Sequence, residues 1–218
     1  MARFLNIEIG YSQMRVAEVE PRGKGERIHK CFTCSVPAGA VDDGLVRDTK
    51  GLGQILKAEL AQYNIHSKKA FFVTGSSRIA SREIRIPYVK KRQIQSVIEA
   101  NATDYFPVDV SNYVLSYTII DIETKKNDEG NEIRQYHLMV YAAPKSVSTA
   151  FSEMASAAGL TVAGCTSTGD SIYSAVRNEL MDGTHLLFKV EMRNTNISII
   201  RDGKLTLQRT VGYGLESA

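Results

Sequence analysis

The chain contains 218 residues, of which 43% are hydrophobic and 23% are charged, as in ordinary globular proteins. The 27 basic and 24 acidic side chains give a net charge of +3, whereas a nucleic-acid-binding protein would carry a concentrated basic patch. No apolar run approaches the roughly 18–20 residues of a membrane-spanning helix, and the N-terminus lacks the apolar core of a secretory signal. With three cysteines, one of them necessarily unpaired, these features favour a reduced, cytoplasmic protein.

The first third of the chain predicts three strands, one helix and a fourth strand. The helix begins at Asp48 or Thr49, which can cap it, and its apolar residues recur at helical spacing from Leu52 to Tyr63. A strand that follows a helix implies a crossover connection, and therefore a partly parallel sheet covered by helices. The predicted strands span residues 4–9, 14–19, 28–36 and 70–74, with Gly10 in the first turn.

The middle of the chain has a different residue pattern. Residues 81–87 alternate charged and apolar side chains, as an exposed or edge strand does. One helix is predicted from about Lys90 to Tyr105. Two strands follow, joined by a polar hairpin tip at residues 125–131, and then a helix that Gly159 can close. The strands span 113–122 and 135–142, and the helix spans 146–158.

The last part predicts a short strand, another helix and three final strands, with Asp202-Gly203 as a strong hairpin signal. Their ranges are 160–163, 169–181, 185–192, 197–201 and 204–211. Two of the predicted hairpins echo each other, because Glu8 and Glu191 both stand between apolar residues just before a turn.

Cys31 and Cys34 form a Cys-x-x-Cys pair with His29 nearby. This spacing is found in redox pairs and in half of a zinc site. Residues three apart on a strand point to opposite faces, however, and Cys165 supplies no second pair. The pattern therefore favours two strand cysteines of which one is buried.

Other catalytic signatures are missing from the sequence. It contains neither a Walker A loop nor a complete Gly-x-Gly-x-x-Gly, and its four histidines show no ligand spacing. The basic cluster at residues 90–92 falls in the first turn of a predicted helix. It is either a solvated face or, because cations are unfavourable at the positive end of a helix, a partner contact.

The first hairpin remains as a candidate site. A strand that ends in an acidic residue, followed by glycine and polar residues, can wrap backbone N–H groups around a phosphate. Its carboxylate can hold magnesium through water. The candidate residues are Glu8, Gly10, Tyr11, Ser12 and Gln13, although the same pattern also describes an ordinary β-hairpin.

Several segments, in their order and spacing, resemble the PilM family. Its members are actin-like cytoplasmic proteins of type IV pilus assembly, related in fold to the cell-division protein FtsA. The segments that carry the resemblance are residues 6–19, 36–44, 75–87, 105–108, 142–145 and 197–204.

The resemblance implies an α/β protein with an actin-like, ribonuclease H-like fold and an FtsA-type inserted subdomain. The first subdomain would comprise residues 1–81 and 164–183, and the inserted one residues 82–163. Residues 184–218 would begin a second half that is truncated here. By the symmetry of the fold, about 100 further residues would complete it.

The resemblance also implies ATP with Mg²⁺ in the cleft between the halves. Gly10, Tyr11, Ser12 and Gln13 would form the first phosphate hairpin, with Glu8 as a metal ligand where the family usually has Asp. The second hairpin would contribute Glu191 to the metal, and Arg193, Asn194 and Thr195 to the phosphates. It departs from the family pattern, because its glycine is missing, its loop is shorter and Arg193 occupies the turn. The adenosine segment would lie beyond Ala218.

The implied partner is the N-terminal cytoplasmic tail of a PilN-like inner-membrane protein, bound near residues 82–87 and the Pro144-Lys145 junction. The expected function is a non-enzymatic scaffold at the cytoplasmic face of the inner membrane. It would contact other pilus components, associate with the membrane only through its partner, and bind no nucleic acid. The alternative is an ATP-dependent actin-like protein with an FtsA-like cell-division or polymer-forming role.

Overall fold

A computed structural model of the protein describes residues 3–23, 25–107, 109–126 and 132–217. Within these residues the chain forms three sheets, one small hairpin and five α-helices. The tip of the predicted hairpin at residues 127–131, and Val108 of the segment 105–108, lie outside the described residues.

The first sheet has five strands in the order β10-β6-β1-β2-β3. Strand β1 pairs antiparallel with β2 and parallel with β6, and β6 pairs parallel with β10. The partly parallel sheet expected from the crossover is therefore confirmed. The strands are β1 (Phe4–Ile9), β2 (Gln13–Arg22), β3 (Gly25–Ser35), β6 (Lys69–Thr74) and β10 (Thr161–Ser167).

Two helices, α1 (Thr49–Gln62) and α4 (Lys145–Ala157), cover one face of this sheet. Asp48 caps α1 as expected, because its carboxylate accepts a hydrogen bond from the Gly51 N–H at 2.8 Å. Gly53 lets the two helices approach closely, since a Cβ there would lie 2.5 Å from the Ala157 Cβ. The core between helices and sheet includes the buried apolar side chains of Leu5, Ile7, Met14, Leu52, Leu56, Phe72, Phe151 and Met154.

Residues 38–44 are rich in glycine and aspartate and predict a loop, but the structure forms a small hairpin there of β4 (Val41–Asp42) and β5 (Leu45–Val46). Val41, Leu45 and Val46 are buried in the first core. The loop is thus held against the sheet by apolar side chains. The many glycines and aspartates of this segment give no indication of that packing.

The second sheet is antiparallel and has the order β7-β9-β8. Its strands are β7 (Ala80–Pro87), β8 (Tyr113–Lys126) and β9 (Glu132–Pro144). The single helix predicted over 90–105 is wrong, because the segment splits into a 3₁₀ turn (Lys91–Gln93), α2 (Ile94–Ala100) and α3 (Ala102–Tyr105). At the break, the Asn101 side chain donates to the Val97 carbonyl at 2.8 Å, which competes with helix continuation.

The third sheet has the order β11-β12-β13, with strands β11 (Thr184–Val190), β12 (Thr195–Arg201) and β13 (Lys204–Val211). Asp202 and Gly203 both have positive φ, which confirms the tight hairpin predicted there. Helix α5 (Thr168–Val176) is shorter than predicted and is followed by a 3₁₀ turn. It connects the first sheet to the third, where its Tyr173 packs with Ile200 and Leu205.

The proposed limits of the subdomains stay predictions. The second sheet lies within the range 82–163 apart from its first residues, whereas α4, from the same range, packs on the first sheet.

Candidate functional site

The structure brings together the turns of the two hairpins that the sequence singles out. In the first, the Gly10 N–H donates to the Gln13 carbonyl at 2.9 Å, and in the second the Glu191 N–H donates to the Asn194 carbonyl at 2.9 Å. In the second hairpin the turn begins at the acidic residue Glu191 itself, whereas in the first hairpin the turn begins at Gly10, two residues after Glu8. Both turns span four residues, and the expectation that the second loop is shorter than the family pattern stays a prediction.

At the base of the cleft between the hairpins, Glu8 and Glu191 share two cations. The Lys189 ammonium contacts Glu8 and lies 2.8 Å from Glu191 Oε1. The Arg15 guanidinium lies 3.0 Å from Glu8 Oε2 and 3.5 Å from Glu191 Oε1. Arg15 is paired with Glu8 across β1 and β2. Lys189 lies near the end of β11, two residues before Glu191, which directly follows the strand.

The neighbouring charges set the ionisation of this cluster. Burial by itself would raise the pKa of Glu8, but the hydrogen bonds and charges of Lys189 and Arg15 outweigh it, and the pKa falls below its ordinary value. Burial would likewise lower the pKa of Arg15, yet Glu8 and Glu191 raise it. Both partners of the Glu8–Arg15 pair therefore stay charged at neutral pH.

Side chains also close the cleft at the tips of the hairpins. The Arg193 guanidinium stacks over the Tyr11 ring at 3.7 Å from its centroid, an attractive cation–π arrangement. Its Nε donates to Glu216 at 2.8 Å. Gly10 suits the tight first turn, since a Cβ there would lie 3.0 Å from the Gln13 carbonyl.

Three of the predicted phosphate-binding residues do not line this cleft. The Ser12 carbonyl accepts a hydrogen bond from the Val36 N–H, Gln13 pairs with Ser35 at the sheet edge, and the Thr195 hydroxyl donates to the Tyr213 carbonyl at 2.7 Å. Gly10, Tyr11, Arg193 and Asn194 do line it. The assignment of all seven residues to phosphates stays a prediction.

A third loop, which sequence reasoning did not connect with the site, joins the two hairpins. Residues of the small β4–β5 hairpin, Asp42, Asp43 and Gly44, line a cavity of about 270 Å³ together with Gly10 and Arg193. Asp43 is fixed by Ser77, whose N–H and hydroxyl donate to its carboxylate at 2.9 and 2.7 Å. In the sequence, the connection of this loop with the site is indicated by the segments 36–44 and 75–87, which carry the family resemblance.

The space between the two hairpins is small, although Glu8, Arg15 and Lys189 also line an open pocket of about 1120 Å³ on the face of the first sheet opposite α1 and α4. Between the hairpins, next to Glu8, Lys189 and Glu191, the cavity measures about 20 Å³, which is room for roughly one water molecule. The neighbouring cavity of about 270 Å³ is also below the roughly 300–1,000 Å³ of typical ligand pockets. In this arrangement, the residues present do not fit ATP with Mg²⁺ at the positions that the resemblance implies.

A separate groove of about 630 Å³ runs between β7 and β13 and is lined by residues of both strands. Each is an edge strand of its own sheet. The two edges meet where the Ser81 hydroxyl donates to the Gln208 carbonyl at 2.5 Å. Arg82 anchors β7 on the other side, since its guanidinium donates to the Tyr105 carbonyl at 2.7 Å. The groove is therefore bordered by the edge strands of two sheets.

The other sequence candidates take structural positions. Cys34 is buried and Cys31 is exposed, which confirms the interpretation that one of the two is buried. Among the residues that the structure describes, no group of three or more His, Cys, Asp or Glu could hold a metal ion. The basic cluster at 90–92 is exposed, and no described helix is long and apolar enough to cross a bilayer.

Comparison with known proteins decides the family. A model of the family described as "Type IV pilus assembly protein PilM" matches residues 6–217. This chain belongs to the PilM family. No curated protein matches the sequence.

The solved structures agree on an actin-like fold for this PilM family member. The chain in a PilM-PilN type IV pilus biogenesis complex is 20% identical with a TM-score of 0.81, and the match covers 97% of this chain and 62% of that one. A Bacteroides thetaiotaomicron protein with an actin-like ATPase fold and unknown function is 14% identical, with a TM-score of 0.53 and coverage of 97% and 70%. The ethanolamine utilization protein EutJ from Carboxydothermus hydrogenoformans is 14% identical, with a TM-score of 0.52 and coverage of 98% and 53%. The chain thus spans less than two thirds of the length of its PilM match.

Proposed function

We propose that this PilM family member is a non-enzymatic scaffold of type IV pilus assembly that recruits the N-terminal tail of a PilN-like inner-membrane protein. The observation that carries the proposal is the match to the PilM-PilN complex over 97% of this chain at a TM-score of 0.81. Because the fold is shared over almost the whole chain, we infer that a docking surface for such a partner is shared as well. The scaffold would lie at the cytoplasmic face of the inner membrane.

The groove between β7 and β13 is the proposed site of the tail. Its two edge strands offer backbone N–H and C=O groups to an extended segment, which is the basis of recognition by strand addition. The groove is also long enough to hold several residues, since β7 and β13 each span eight residues at about 3.3 Å per residue. Side chains of Glu83 and Arg209 at its walls would select the charge pattern of the tail.

Fluorescence anisotropy with a synthetic N-terminal peptide of a PilN-like protein tests this proposal. We expect saturable binding at micromolar peptide, together with slower amide hydrogen exchange in residues 79–87 and 206–211. The exchange of α1, on the far side of the first sheet, provides the internal control. Absence of binding at high micromolar peptide would remove the proposal, and protection confined to another region would relocate the site.

Charge-reversal variants test whether the tail peptide binds in the groove. Arg209→Glu changes a wall of the groove, whereas Arg201→Glu changes an exposed position at the end of β12. We expect only the first variant to alter peptide affinity. Equal effects of both would mean that overall charge, rather than the groove, governs binding.

Membrane association would be indirect. In vesicle flotation, we expect the purified chain to stay with the soluble fraction and to float only when a PilN-like protein is present in the vesicles. Flotation with lipid alone would favour the alternative FtsA-like role, in which the chain itself contacts the membrane. A nucleotide titration without binding or phosphate release would support the non-enzymatic part of the proposal.

A further inference from the structure

The charges at the base of the hairpin cleft balance one another. Two carboxylates, Glu8 and Glu191, face two cations, Lys189 and Arg15. The side chains of Glu8, Lys189 and Glu191 are each about one quarter exposed, so the pairs are shielded from bulk water. A divalent ion at this place would add two positive charges to a cluster that is already neutral.

The position of Lys189 decides what else the two carboxylates can bind. Magnesium requires near-octahedral oxygen coordination at about 2.0–2.1 Å, and a lysine ammonium is a compact point charge with three donors. The ammonium bridges one oxygen of Glu8 and one of Glu191, in the space that a bridging metal would need. Between the two hairpins, the cavity next to the ammonium measures about 20 Å³, which is less than the hydration shell that Mg²⁺ usually retains would occupy.

We propose that Lys189 takes the place of the metal ion, so that the chain joins its two hairpins through an internal cation and keeps the cleft closed without Mg²⁺ or nucleotide. Stacking of Arg193 on Tyr11 closes the outer end of the same cleft. The lysine is placed by its spacing in the chain, because it lies in β11 two residues before Glu191, which directly follows the strand. This inference is independent of the proposed partner and its groove.

Binding of Mn²⁺, followed by electron paramagnetic resonance, tests the proposal on the full chain. Mn²⁺ is a probe for the Mg²⁺ site, since both prefer oxygen ligands. We expect the wild type to leave Mn²⁺ free. Lys189→Met, which keeps the length and removes the charge, leaves Glu8 and Glu191 with one cation between them. We expect this variant to bind at least one Mn²⁺ at least tenfold more tightly than the wild type does.

Thermal unfolding gives a second readout of the same change. Since a ligand that binds only the folded state stabilises it, about 10 mM Mg²⁺ should raise the Tm of Lys189→Met by several degrees and leave that of the wild type unchanged. Lys204→Met is the matched control. Lys204 lies in the same sheet as Lys189, but it pairs with a single carboxylate, that of Asp121 in the second sheet, at 2.5 Å. We expect it to gain no response to Mg²⁺.

Two results would overturn the proposal. One is wild-type Mn²⁺ binding that is lost in Glu8→Gln or Glu191→Gln, since the carboxylates would then hold a metal despite Lys189. The other is a folded Lys189→Met variant that gains no Mn²⁺ affinity. If Lys189→Met does not fold, the wild-type titration together with the two Gln variants still decides between an internal cation and a metal site.

Discussion

The first and third sheets each provide one of the two hairpins, but they hold them in different ways. Strand β1 lies at the centre of five strands, and helices α1 and α4 bury one face of its sheet. Strand β11 is an edge strand of three, and Leu186, Phe188 and Val190 on one of its faces are each more than half exposed. The first hairpin is therefore fixed by its own sheet, whereas the second depends more on contacts across the cleft.

The third sheet is held by a small apolar cluster, in which Ile200 and Leu205 pack with Met139, Tyr141 and Tyr173, and by polar contacts. Charge pairs reach it from the first sheet at Glu8–Lys189 and from the second at Asp121–Lys204. Tyr141, from the second sheet, donates to Asp170 of α5 at 3.0 Å. Since partly exposed ion pairs contribute about 0–1 kcal/mol each, the third sheet should be the less stable region, and local opening should begin there.

The largest expected effect comes from comparing a substitution in the first core with one on the exposed apolar face of β11. Leu56→Ala removes a fully buried side chain from the first core, so we expect the free energy of unfolding to fall by about 2–5 kcal/mol. Leu186→Ala removes a side chain that is 58% exposed, and we expect a change within about 0.5 kcal/mol. Chemical denaturation measures both, and similar losses would show that the exposed face of β11 is covered in solution.

The second largest effect on stability is expected from a substitution at the contact between α5 and the third sheet. A Cβ at Gly169 would lie 2.5 Å from Gln208 Cδ and 2.7 Å from Asn196 Oδ1, and both side chains are buried. We expect Gly169→Ala to lower stability by about 1–2 kcal/mol, since overpacking outweighs the gain in helix propensity. Gly212→Ala, where a Cβ meets nothing within 4 Å, is the control. A stabilised Gly169→Ala variant would mean that α5 and the third sheet separate easily.

Acid should weaken the face of the second sheet that packs on α5 and the third sheet. The hydrogen bond from Arg85, helped by Gln135, lowers the pKa of Glu123 from 4.5 to about 2. Because the folded pKa is the lower one, the stability that Glu123 contributes is complete above about pH 4.5 and is lost as the pH falls towards 2. Glu123→Gln should flatten this part of the stability curve, measured by urea unfolding at several pH values. Glu132→Gln, at an exposed position, should leave the curve as in the wild type.

The smallest effect contrasts the two faces of the first sheet. Burial raises the pKa of the Cys34 thiol to about 11, whereas Cys31 lies on the exposed face. In a Cys165→Ser background, we expect Cys31 to react with iodoacetamide at pH 8 about tenfold faster or more than Cys34, because the thiolate is the reacting form. Mass spectrometry of the two alkylated sites measures this. Equal rates would mean that the helix layer over Cys34 opens readily.

The sequence by itself determined the features that depend on local pattern. Alternating burial in β1, the Asp48 cap of α1 and the Asp202-Gly203 hairpin follow from residues that are close together in the chain. The order of the family segments also sufficed to indicate the PilM family and its actin-like fold. The break at Asn101 was missed, because helical periodicity continues across it while the side chain bonds to its own backbone.

Only the tertiary structure decided the state of the candidate site. The sequence placed Glu8 and Glu191 before two turns, but it could not show that Lys189, 181 residues from Glu8, bridges them. Nor could it show that β7 and β13 align their edges along one groove. Local pattern fixes which residues form a strand and which face they share, whereas the charge balance of a cleft depends on side chains that distant segments bring together.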